Sequence, residues 1–184
     1  MSKGVVRPAL GGYDVSGIAL FAYGRIYRDA GRRLRRKPPP NEWPSPVPYF
    51  LLCQSLELYL KGYLWRFAYL GRETLKRKYG HNVLKLWEDA QTHGLGKYVR
   101  ATRDRNEVIA LVGPVYRDRR LNYLDLNLLF AGYKAIHDDA RVIPTLLRLT
   151  RRLDTSLISL VAVNREIRPE GRNLLALVSP AAGD

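Results

Sequence analysis

The chain has 184 residues, enough for one domain with its own core, and its apolar fraction of 46% is that of a globular protein. A single cysteine, Cys53, excludes an internal disulfide, and three histidines far apart in sequence (His81, His93, His137) offer no zinc-ligand spacing, so neither metal nor cofactor is expected. A formal net charge of +14 points to polyanionic partners: nucleic acid, nucleotides or an anionic surface.

The first residues, MSKGVVRPALGG, lack the apolar core of a signal peptide. No window reads as a transmembrane helix either, so a cytoplasmic protein with no membrane partner is expected. Residues 14–36 place Ile18, Phe21, Ala22, Ile26 and Ala30 at helical spacing, with Asp14 or Ser16 as cap. This helix carries the densest basic run, seven basic residues and one acid over 24–37. KPPPNEWPSPVP (37–48) follows, with five prolines between 38 and 46, and reads as a stiff, extended linker. The helix before it is therefore expected as an N-terminal arm (1–37), set apart by the linker (38–48) from a helical bundle (49–165) and a C-terminal tail (166–184).

Residues 49–70 give the strongest helix signal. Tyr49, Leu52, Cys53, Leu56, Leu60, Tyr63, Leu64 and Phe67 share one face, and Leu51, Leu58, Trp65 and Tyr69 form a second stripe. Two apolar stripes mean a central helix or one that meets a partner chain, and a homodimer through the second stripe is expected. Cys53 falls on the main face as a buried small hydrophobe. Glu57 and Lys61 lie between the stripes in the favourable order, as a structural ion pair, and Gly71 is expected to end the helix.

A short basic helix over 72–79 then breaks at Gly80. Asn82 can cap a helix over Val83, Leu84, Leu86, Trp87 and Ala90 that ends at Gly94. A helix over about 96–112 is expected to kink or stop at Gly113-Pro114. Residues 120–133 have apolar positions at 124, 126, 128 and 130, a period of two that suggests an extended loop or short strand. The last helix is expected from about 135 to 165, striped by Ile143, Leu146, Leu153, Leu157, Leu160 and Val161, with Pro144 in its first turn or at a kink. Basic residues also cluster at 72–78, 116–120 and 148–152. The expected fold class is all-α, an antiparallel bundle of five or six helices.

SLELYLKGYL (55–64) followed by YGHNVLKLW (79–87) resembles the HEPN domain family. That family's second helix often reads small–Leu–Glu–x–x–x–Lys–x–Tyr–Leu, and a Gly-His-Asp/Asn-Leu turn opens its third. VYRDRRLNY (115–123) and AIHDDARVI (135–143) resemble the segment before the family's last helix and the opening of that helix. The likeness covers about 49–163. It implies an antiparallel up-and-down bundle, often dimeric, whose relatives include ribonucleases, nucleotide-binding modules and inactive partners of nucleotidyltransferases.

The family's ribonucleases carry an Arg, four to six residues, then a His, so that the His moves a proton while the Arg stabilises phosphate charge. No histidine here has that spacing: Arg77 precedes His81 by three intervening residues, and Arg120 precedes His137 by sixteen. The resemblance therefore implies a non-catalytic domain that binds nucleotide or RNA. Lys61, Arg117 and Arg120 are the phosphate contacts, with Tyr79 or Tyr123 stacking. His81 either touches phosphate or base, or orients the turn at the helix entrance. Arg117 and Arg120 could instead pair with Asp118 and Asp125. The alternatives are a protein partner in a toxin–antitoxin or nucleotidyltransferase system and a ribonuclease with an altered site.

Overall fold

The computed structural model describes residues 17–36, 45–121 and 134–167, with side chains in the last stretch from 136 to 161. Among these residues there are seven α-helices, one 3-10 turn and no strand, an all-α bundle as the periodicity requires. They are α1 (Gly17–Arg36), α2 (Val47–Phe67), α3 (Arg72–Tyr79), α4 (Val83–Thr92), the 3-10 turn (Leu95–Lys97), α5 (Arg103–Arg117), α6 (Lys134–Asp138) and α7 (Val142–Ile167). No described helix is long and apolar enough to cross a membrane.

Helix α2 runs through the centre. Its main stripe is buried from Tyr49 to Leu64, Cys53 included, and burial holds the Cys53 thiol in its neutral form by raising its pKa. Helices α1, α3, α4, α5 and α7 all pack around it. The core continues through Val83, Leu86 and Trp87 of α4, Val108, Ile109 and Val112 of α5, and Leu146, Leu149, Leu153 and Leu157 of α7.

The helix expected as a separate arm is one of the walls of this bundle. Glycines 17, 24 and 31 recur every seven residues on α1 and face α2 in antiparallel order. A Cβ on Gly17 would stand 2.8 Å from the Gly62 carbonyl oxygen, one on Gly24 3.1 Å from the Tyr59 ring, and one on Gly31 3.1 Å from Leu52. A Cβ at Gly17 would meet backbone, and one at Gly24 or Gly31 would need its neighbour to give by a few tenths of an ångström; the close approach leaves Phe21 stacked near Tyr59 and lets the Ser55 hydroxyl donate to the Gly24 carbonyl at 2.7 Å. Asp154 of α7, itself buried, accepts from Arg25 at 3.0 Å and Arg28 at 2.7 Å, so α1 is tied to a second helix by charge. The contact also reaches the second stripe of α2. Leu51 lies against Gly31 and Trp65 is partly buried on the core, while Tyr69 at the end of the stripe is 84% exposed.

Four local expectations are corrected. Helix α2 begins at Val47, inside the proline-rich segment, because the first turn needs no N–H donors and tolerates Pro48. It ends at Phe67 rather than at Gly71: Tyr69 takes the left-handed conformation (φ 55°), the Leu70 N–H bonds back to the Leu64 carbonyl, and Gly71 instead caps α3. Helix α5 starts at Arg103, capped by Thr102, whose hydroxyl accepts from the Arg105 N–H, and passes through Pro114. The carbonyl that Pro114 leaves unbonded belongs to Ala110 on the exposed face, where water can satisfy it. The last helix is two: Asp139 accepts from the Arg141 N–H at 2.9 Å and starts α7 afresh, placing Pro144 in a first turn instead of a helix interior. The period-two segment, most of the linker, the proposed caps Asp14 and Ser16, and the tail lie outside the described residues.

A Cβ at Gly62 would fall 2.5 Å from the Phe21 ring and 2.9 Å from the Gly17 carbonyl. Gly62→Ala is therefore expected to cost about 1–3 kcal/mol in urea unfolding through overpacking. Gly71→Ala is the contrast: nothing lies within 4 Å and φ is −66°, so there is no overpacking and only the poorer N-cap character of Ala should show, at about 1 kcal/mol or less.

Candidate phosphate-binding groove

The centre of the candidate site is Glu57, a carboxylate only 3% exposed in the middle of α2. A buried carboxylate must be surrounded by donors, or its desolvation costs several kcal/mol. Three parts of the chain supply them. Lys61, one turn later on α2, places its ammonium 2.5 Å from Oε1. Tyr116 of α5 donates its hydroxyl to Oε2 at 2.5 Å, with the Gln54 side chain also at 2.5 Å. His81, in the turn between α3 and α4, places Nδ1 3.0 Å from the same Oε2. The Glu57–Lys61 pair expected from spacing is present and mostly buried, and it is the core of a larger network. Burial first, and the neighbouring Glu57 charge second, hold the Tyr116 phenol well above its ordinary pKa, so it remains a donor.

The network fixes the turn at residues 80–82. The Lys61 ammonium also donates to the Gly80 carbonyl at 2.7 Å. Asn82 accepts from the Lys85 N–H at 3.0 Å and caps α4 as expected. The partners of His81 select its tautomer. Nδ1 faces a carboxylate, so it carries the proton, and Nε2 is left facing the Arg119 guanidinium at 3.4 Å. Arg119 itself sits in the left-handed conformation (φ 57°) just past the end of α5, where the Arg120 N–H bonds back to the Val115 carbonyl. A glycine is the usual occupant of such a position, because a Cβ there costs about 1 kcal/mol.

Beside His81 a groove of about 280 Å³ opens between α2 and α3. Lys61, Trp65, Arg72, Lys76 and His81 line it, over Leu20 and Leu75, and no carboxylate is among the lining residues. Among the described residues Arg72 and Lys76 have no ion-pair partner.

The residues expected to form the site do not all meet here. Lys61 and His81 do, but the Lys61 ammonium is engaged by Glu57 and the Gly80 carbonyl. Tyr79 cannot stack on a base: it is 4% exposed and its hydroxyl donates to Asp89 at 2.7 Å, so its ring belongs to the core. Arg117 pairs with Asp118 at 2.9 Å and Arg120 approaches the same carboxylate at 3.8 Å, while Asp118 faces solvent with them. It is Arg119, the middle member of the run, that reaches His81. Tyr123 and Asp125 lie outside the described residues. Arg72, Lys76 and Trp65 were legible in sequence only as a basic cluster and an apolar stripe. Among the described residues no group of three or more His, Cys, Asp or Glu could hold a metal ion.

Lys61→Met alone should destabilise the fold by about 3 kcal/mol, because Glu57 would remain buried with one donor fewer. The double variant with Glu57→Gln should recover part of that loss. Equal stability of single and double variants in denaturant titration would exclude a coupled pair. A second test uses Asp89, whose carboxyl is held below the usual range first by Lys78 at 2.6 Å and then by the Tyr79 hydroxyl. Its folded pKa lies below the unfolded value, so its contribution is present above the normal carboxylate range and is lost as pH falls below about 4. Solvent limits it to about 1 kcal/mol or less. Asp89→Asn should therefore flatten the acid limb of the stability profile between about pH 4 and 2.

No protein-family model, no curated protein and no solved structure matches the chain, so the functional assignment rests on the geometry of the groove and its cations.

Proposed function

We propose that the chain is a non-catalytic HEPN-like helical domain that binds RNA or a nucleotide, and that it does so at the groove beside His81. The observation that carries the reading is the absence of carboxylates from a groove that holds Arg72, Lys76, His81 and Trp65. Arg72 and Lys76 supply charge for phosphate, and the Arg fork suits its oxygens. Trp65 offers an aromatic face for a base or sugar. Arg119 extends the cationic edge past His81. Glu57, behind His81, holds the imidazole in place and does not face the ligand. With a net charge of +14, most of the affinity is electrostatic and falls with salt.

A second reading is favoured by one observation. A histidine backed by a carboxylate, with its second nitrogen beside an arginine, is also an arrangement for acid–base chemistry on phosphate. RNA cleavage that is lost in His81→Ala would establish that reading and remove the non-catalytic one.

Binding of a fluorescent single-stranded RNA, measured by anisotropy at several salt concentrations, tests the first. Arg72→Ala and Lys76→Ala should each reduce the slope of log K against log salt by about 0.7. Unchanged slopes in both would remove the groove from the function. Arg119→Gly separates a binding role from a structural one by sign. Stability should rise by about 1 kcal/mol as the left-handed position is relieved, while RNA affinity falls.

A further inference from the structure

The basic run at 148–152 has no part in the groove beside His81. Arg148 and Arg152 lie four residues apart on α7, with Ser156 four further on, so the three share one stripe of that helix. Beneath Arg152 a cavity of about 410 Å³ is lined by Lys97, Tyr98, Arg152, Thr155, Ser156 and Ser159. Arg105 stands in the first turn of α5, a helix that packs against α7 and whose Asp104 and Glu107 pair with Arg141 at the head of α7. Burial first, and then the charges of Arg152 and Arg148, push the Arg105 guanidinium pKa down. Its side chain is anchored by donating to the Arg100 carbonyl at 2.5 Å.

Asp104 and Glu107, on the same helix as Arg105, are engaged by Arg141 and Arg103. Asp154 faces the other way, toward Arg25 and Arg28. Among the described residues no carboxylate pairs with Arg105, Arg148 or Arg152, and the only polar side-chain partner of Arg148 is the Thr145 hydroxyl at 2.9 Å. A cation in the first turn of a helix also opposes the helix dipole. Like charges brought near it lower stability further unless an anion joins them.

The hydroxyls differ in what they can give. Thr155 and Ser159 donate to carbonyls one turn back, at 3.1 and 2.9 Å. Ser156 makes no such bond among the described contacts and lines the cavity. Tyr98, 38% exposed at the rim, presents a ring on which a base can stack.

We propose that Arg105, Arg148 and Arg152, with Lys97, Tyr98 and Ser156, form a second phosphate-binding site that takes the backbone of the same RNA. This rests on the RNA-binding reading above. The first groove borders the 80–82 turn that opens α4, Lys97 and Tyr98 of the second follow α4 through the 3-10 turn, and the ten residues of α4 between them span about 15 Å.

The test uses the full chain and the same single-stranded RNA. Arg148→Ala with Arg152→Ala should lower the salt slope by about 1.4, two contacts at about 0.7 each, and add to the effect of Lys76→Ala. Arg103→Ala removes the same kind of charge from a carboxylate-paired, 91% exposed position and should leave the slope unchanged. A slope unaffected by the Arg148/Arg152 pair but lowered by Lys76→Ala would overturn this proposal and leave the first groove standing. An equal fall in Arg103→Ala would also overturn it, as a mere net-charge effect. If the wild type binds no RNA, the RNA reading fails, and inorganic pyrophosphate then decides whether the cluster is an anion site. Saturable shifts of the Arg105, Arg148 and Arg152 Nε–Hε signals would support it, and their absence would overturn it.

Discussion

A carboxylate placed at the centre of the most buried helix is the constraint on which the site depends. Glu57 can be buried there at tolerable cost only while donors surround it. The donors come from three places: one turn along α2, the turn before α4, and the last turn of α5. Satisfying one anion thereby fixes the positions of the 80–82 turn and of the end of α5 relative to α2. Arg119 follows Tyr116 by three residues, so docking the tyrosine on Glu57 also delivers the arginine to His81. The backbone at Arg119 is held in a conformation that costs free energy, and its side chain meets the exposed edge of the imidazole.

The close approach of α1 and α2 works from the opposite side of the central helix. Glycines at 17, 24 and 31 bring two backbones together, and the area they bury comes from Phe21, Tyr59 and Leu52 rather than from the glycines themselves. Such a seam tolerates little added volume, because protein interiors are already close-packed. The ion pairs of Arg25 and Arg28 with Asp154 extend it to α7.

The distribution of the acids decides what the bases can do. The described carboxylates that pair are used inside the fold or along its edges: Asp154 with α1, Asp89 with Lys78, and Glu107 and Asp139 with Arg141. The surplus of positive charge is thus not spread evenly. It collects where no described carboxylate pairs with it: at Arg33, Arg35 and Arg36 at the end of α1, at Arg72 and Lys76 on α3, and at Arg148 and Arg152 on α7. Local field, more than total charge, is what an anionic ligand meets.

Periodicity and spacing by themselves determined that the chain is helical. They also identified the face of α2 that is buried, the pairing of Glu57 with Lys61, and Asn82 as the cap of α4, since each depends on residues within a few positions of one another. Tertiary structure alone decided the rest. Tyr79 and Trp65 are both aromatic residues next to basic ones, but one is folded into the core against Asp89 and the other lines a groove, a difference set by neighbours distant in sequence. Within Arg117–Arg120 the chain composition favours no single arginine; the left-handed turn after α5 sends Arg119 to His81 and leaves its neighbours with Asp118. The proline-rich stretch that reads as a separator does not detach α1, because the glycine period that joins it to α2 is a signal of absent side chains, and hydrophobic patterning registers only those that are present.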